Sequence, residues 1–112
     1  MECEEIRVDL RTIPHSADRQ RSAQLLFRLN HTLPFSEEYN ALLRELLGKN
    51  LGEGSTIAPP LSGAALDMLK IGRGVFVNSN LLAMARGGIT IGDHARIAAN
   101  VQLLSNNHDP YD

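Results

Sequence analysis

From residue 51 onward an aliphatic residue returns at every sixth place for several steps in succession. It opens the units LGEGST, IGRGVF, VNSNLL, IGDHAR and IAANVQ, and Ile91, Ile97 and Leu103 keep the interval to the edge of the last segment, SNNHDPYD. A strand residue advances about 3.3 Å, so six make a flat side of roughly 20 Å, and three sides close a triangular coil of about 18 residues. Successive coils then stack in parallel register and bury a column of Ile, Val and Leu. Asn78, Asn80, Asn100 and the glycines are assigned to the corners, where a positive φ is tolerated. Ile71 and Ile91 lie 20 residues apart, which predicts a two-residue bulge near Arg86, Gly87 and Gly88. The competing interpretation is a small ordinary sheet with chance spacing. It accounts poorly for so many matches to one template.

The first half has a different period. In SEEYNALLRELLG, Tyr39, Leu42, Leu43, Leu46 and Leu47 fall at i, i+3, i+4, i+7 and i+8, along one face of a helix. Ser36 is placed to cap its start, Glu37 and Glu38 suit the positive end of its dipole, and Gly48 stops it. Upstream, SADRQRSAQLLFRLN predicts a second helix with Ala23, Leu26, Phe27 and Asn30 on its stripe and Ser16 or Asp18 as cap; Pro34 falls in the link. Gly52, Gly54, Pro59 and Pro60 end the helical period, so the boundary is set near residue 50: a helical cap over 1–50 and coils over 51–112.

Composition narrows the partners. The chain has 112 residues, 43% of them apolar, enough for one modest core. Eleven basic residues against 13 acidic give no cationic face for a phosphate backbone, so nucleic acid is not an expected partner. The single cysteine, Cys3, has no internal disulfide partner, which fits a reducing compartment. No apolar run approaches the roughly 20 residues of a membrane helix, and the acidic opening MECEEI is unlike a signal peptide; the expected location is cytoplasmic.

RLNHTLPFSEEYNALLRELLG resembles the N-terminal helical cap of the maltose and galactoside O-acetyltransferase family, and VFVNSN with ITIGDHARIAANVQLLSNNH resembles the first coils of that family's β-helix. The resemblance runs from about residue 16 to the end. It implies a mainly β chain with an α cap: a left-handed parallel β-helix of hexapeptide repeats, preceded by a two-helix segment. The hand comes from the resemblance, because spacing gives none. Also implied are acetyl coenzyme A as cosubstrate, a hydroxyl acceptor such as a sugar, no metal, and a homotrimer with active sites between neighbouring subunits. Family members run on for further coils, so this sequence is expected to be the front part of such an enzyme.

Within that frame His108 stands where the family has its general base. A sugar hydroxyl is a poor nucleophile until its proton is being withdrawn, and imidazole suits that task near neutral pH. A surface histidine in a turn is the alternative reading. Asn78 matches a substrate-contacting asparagine, and an amide both donates to and accepts from hydroxyls; it could equally be a corner residue. Asp9 lies near an acidic sugar contact, one residue out of ungapped register. His31 is read as a loop-ordering residue and His94 as an exposed corner. Two departures point to a different acceptor: LSGAALDMLK replaces polar acceptor contacts, and Ala85 with Arg86 stands where the family carries an acidic residue. Two other readings remain. One is a non-catalytic fragment or trimerisation module lacking the coils that bind coenzyme A. The other is a zinc β-helix enzyme using His94 and His108.

Overall fold

The computed structural model describes residues 17–105. His108, Asp9, Cys3 and Ser16 lie outside them. Among the described residues two helices come first, α1 over 17–30 and α2 at Glu37–Leu47. Ser36 caps α2 by accepting the Tyr39 N–H at 3.1 Å, Glu37 and Glu38 occupy its first turn, and Gly48, at φ 59°, closes it through a bond from its N–H to the Arg44 carbonyl. The buried face of α2 is the expected one, Tyr39, Leu42, Leu43, Leu46 and Leu47.

The phase of α1 differs from expectation. Leu25 and Leu29 are buried, while Ala23 and Phe27 face solvent, Phe27 at 64% exposure. Two contacts set that rotation. Asn30 reaches the coil edge, donating from Nδ2 to the Leu61 carbonyl at 2.8 Å and accepting the Leu61 N–H at 2.9 Å. Phe27 stacks on His31 outside, and the His31 Nδ1 lies 2.8 Å from the Phe27 carbonyl, consistent with a loop-ordering role. Asp18 lies inside the helix, so it is not the cap. Arg21 meets Glu45 at 3.0 Å at one end of the pair, and Asn30 and Tyr39 both reach residues 57–61 at the other, so the helices run antiparallel.

Among the described residues the coils follow as eight short strands: β1 Thr56–Ile57, β2 Leu61–Ala64, β3 Leu69–Ile71, β4 Phe76–Val77, β5 Leu81–Met84, β6 Ile89–Ile91, β7 Arg96–Ile97 and β8 Gln102–Leu104. They form three parallel walls, β1-β4-β7, β2-β5-β8 and β3-β6, with Leu51 bridging to Ile71 in the third. Every pairing is offset by 20 residues: Thr56 with Phe76 with Arg96, Leu61 with Leu81, Leu51 with Ile71 with Ile91. The repeat is therefore six, six and eight. The expected bulge is present, with Gly88 at φ 88° donating to the Ala85 carbonyl. The coil below carries one too, where Ala65 at φ 55° turns the chain into a 3₁₀ turn, Leu66–Met68.

Inside, Ile57, Leu61, Leu69, Val75, Val77 and Leu81 are fully covered, Ile71 and Ile91 nearly so, and Ile97, Val101 and Leu103 pack half-buried against them. Helices and coils share this core. The corners at Asn80 and Asn100 have positive φ, as expected, and Asn80 donates to the Asn100 side chain at 2.9 Å. His94 takes the left-handed conformation above Gly54 and Gly74 in the same rung. Asn78 is not among the positive-φ residues. No described helix is long and apolar enough to cross a membrane.

Candidate active site

Of the residues expected to act, only Asn78 is described. It follows β4 at a corner, exposed, and its Oδ1 accepts the Ser79 N–H at 2.7 Å. That bond orients the side chain and occupies one lone pair, leaving its amide N–H groups to face outward. His108 and Asp9 lie outside the described residues, so no constellation of the three is assembled. The described chain runs to Ser105, whose N–H donates to the Met84 carbonyl at 2.9 Å, three residues short of His108. Among the described residues no group of three His, Cys, Asp or Glu side chains converges to hold a metal.

The structure adds a groove of about 790 Å³ that no single motif announces. One wall is α1 with the end of α2, through Arg19, Arg21 and Glu45; the other is the pair of stacked bulges, through Asp67 and Arg86. The bulges are built by the two extra residues of each coil. Asn50 Nδ2 donates to the Asp67 carbonyl at 2.8 Å and holds the lower one; the upper is tied by Ala85 N–H to the Ala64 carbonyl at 3.0 Å and Gly87 N–H to the Ser105 carbonyl at 3.2 Å. The floor, residues 63–65, offers nothing larger than a methyl group. Gly63 cannot be otherwise: its φ is 142°, and a Cβ there would run into the Ala83 carbonyl. Leu25, Leu26 and Leu46 supply apolar lining beneath the charged rim. Charged side chains thus line a groove whose floor is apolar. On that rim the sequence singles out Arg86, as a residue out of keeping with the family, and Asp67 only as part of LSGAALDMLK; Asp18 drew notice as a helix cap, not as a site residue.

The chain is similar to galactoside O-acetyltransferase of Escherichia coli, at 32% identity over 91 residues that make up 80% of this chain and 44% of that protein. Nodulation protein L of Rhizobium leguminosarum is 35% identical over 105 residues, 88% of this chain and 54% of that one. The chain thus spans about half the length of these relatives. A hexapeptide-repeat acetyltransferase from Vibrio cholerae superposes with a TM-score of 0.74 at 33% identity, covering 85% of this chain and 53% of the other. The structure of that acetyltransferase complexed with acetyl coenzyme A superposes at 0.68 with 32% identity, over 78% of this chain and 46% of the other. No family model matches the chain. Sequence and fold nevertheless agree over the same stretch, and the two-helix segment followed by parallel coils of a left-handed β-helix is what they share. Over the part of the fold that it spans, these matches support the maltose and galactoside O-acetyltransferase family of hexapeptide-repeat acyltransferases, at partial coverage of its members.

Proposed function

We propose that the chain supplies the helical cap, residues 1–50, and the first coils, 51–112, of an acetyl coenzyme A dependent O-acetyltransferase acting on a sugar or similar hydroxyl acceptor. The observation that carries this reading is the 0.74 superposition on an acetyltransferase at 33% identity, which joins fold and sequence in one match. That the same acetyltransferase has been captured with acetyl coenzyme A supports the choice of donor.

In the proposed reaction His108 withdraws the acceptor's hydroxyl proton as the oxygen attacks the thioester carbonyl. The tetrahedral intermediate then expels the coenzyme A thiolate, which takes up the proton, and the acetyl ester remains on the acceptor. Asn78 and Asp9 are assigned to holding acceptor hydroxyls, the amide as donor and the carboxylate as acceptor. The chain is placed in the cytoplasm and in a homotrimer, where neighbouring subunits complete each site.

The experiment is transfer of labelled acetyl from acetyl coenzyme A to a panel of sugars by the full chain. Label is expected on a sugar hydroxyl, and His108→Ala is expected to lower the rate by about a hundredfold or more. Full activity in that variant would remove His108 from its role. The second reading is an assembly module without chemistry of its own. Absence of both transfer and acetyl coenzyme A binding in calorimetry would establish it.

A further inference from the structure

We infer that the groove between α1 and the stacked bulges recognises an anionic sugar, one bearing a carboxylate or a phosphate, through Arg86 and Arg19. The inference leans on the acetyl-transfer reading only for the role of that sugar as acceptor; its binding is a separate property.

Six charged side chains rim the groove: Asp18, Arg19, Arg21, Glu45, Asp67 and Arg86. Arg21 and Glu45 hold each other at 3.0 Å and largely cancel. No described carboxylate lies within 4.0 Å of the guanidinium of Arg19 or Arg86, and both residues are exposed. Arg86 sits on the crest of the upper bulge, between buried Ala85 and exposed Gly87, so no side chain of its immediate neighbours pairs with it. A guanidinium stays charged at any physiological pH and presents a planar fork of donors that matches the two oxygens of a carboxylate or phosphate.

The remaining rim groups define the rest of the ligand. Ionised Asp18 and Asp67 are acceptors only, so they suit hydroxyl hydrogens. The floor of residues 63–65 projects no side chain longer than a methyl, which leaves room for a ring above it. A hydroxyl-rich body with one negative group uses both kinds of rim residue. A neutral sugar leaves the two forks without a charged partner. An aminosugar would satisfy the carboxylates but set its ammonium beside two guanidinium groups, a repulsive arrangement.

The test is calorimetric titration of the full chain with glucuronate, glucose 6-phosphate, glucose and glucosamine. The anionic sugars are expected to bind at least about tenfold more tightly than glucose, and their affinity to fall as salt rises from about 50 mM to about 500 mM. Arg86→Gln is expected to weaken glucuronate binding by about tenfold or more while leaving the thermal midpoint in place, because the side chain is exposed and has no described ion-pair partner. Arg19→Gln, on the opposite wall, is expected to act in the same direction and controls for a local disturbance of the bulge. Glucose or glucosamine binding as well as glucuronate, an unchanged affinity in both variants, or no glucuronate binding at all would each overturn the inference. Acetyl transfer to neutral sugars alone would sink it and leave the enzyme reading intact; tight glucuronate binding without any acetyl transfer would do the reverse.

Discussion

The two ends of the prism bury the same positions to different depths. On the first wall Ile57 and Val77 are completely covered and Ile97 is half-buried; on the second, Leu61 and Leu81 are covered and Val101 is half-buried. The lower end is closed by the helices, which offer Leu29, Tyr39, Leu42, Leu43, Leu46 and Leu47 to the core and satisfy the exposed strand edge with side-chain hydrogen bonds. At the upper end, among the described residues, nothing stacks on β7 and β8. A parallel coil cannot satisfy its own terminal rung, so each end needs a cap, a further coil or a partner. The lower end shows what such a cap requires: a greasy plug for the column and polar atoms placed at the strand's spacing.

The sharpest way to break the comparison is to cut equal volumes from each end. Leu43 is 1% exposed, and Leu43→Ala is expected to cost about 3 kcal/mol, the transfer of its side chain plus the cavity left behind. Leu103→Ala, at a half-buried position of the third coil, is expected to cost about 1 kcal/mol. Urea midpoints of the two variants measure the difference. Equal losses would mean that in solution the upper end is covered as well as the lower, by a partner subunit or by chain outside residues 17–105.

A smaller effect separates the polar caps. Asn30 engages both the N–H and the carbonyl of Leu61, behaving like one residue of an extra strand. Asn30→Leu leaves both half-buried backbone groups without that partner and is expected to cost about 2 kcal/mol. At the other end Asn100 accepts from Asn80 in the open, at φ 65°. Asn100→Gly keeps the left-handed backbone comfortable and is expected to change stability by less than about 0.5 kcal/mol. A large loss there would show that the corner ladder carries more of the fold than its exposure suggests.

The same contrast marks what was legible in the sequence. The α2 stripe could be read because its five apolar residues match one helical phase and no other. In α1, Leu25, Leu26, Phe27 and Leu29 crowd together and allow several phases. The choice is made by Asn30 meeting Leu61, 31 residues away, a contact that no local pattern encodes. The coils were legible through Ile71, Val77, Ile91 and Ile97, but their true period of 20 was obscured at the first turn. There Leu51 is separated from Ile71 by Pro59, Pro60 and GAALDM, and the unit opened by Ile57 does not stand out. The groove was least legible. Its rim is drawn from residues 18–21, 45, 67 and 86, which only the antiparallel helices and the stacked bulges bring to one place.

The last distinction is one of pH. Tyr39 is fully buried at the closed end, and its hydroxyl donates to the Ile57 carbonyl, tying α2 to the first coil. Burial pushes its pKa up to about 12 from an ordinary value near 10. The folded state therefore holds the phenol proton more tightly than the unfolded chain does. That contribution is complete below about pH 10 and is lost as pH climbs from about 10 toward about 12. Tyr39→Phe removes the alkaline loss along with the hydrogen bond. It is expected to cost about 1 kcal/mol at neutral pH, where the Ile57 carbonyl loses its donor, and to cost progressively less above pH 10. The measurement is the difference in urea midpoint between the parent chain and the variant from about pH 8 to about pH 11.5; taking the difference cancels whatever the two chains share. A difference that stays constant across that range would mean that the phenol is open to water and that the closed end is looser than its packing implies.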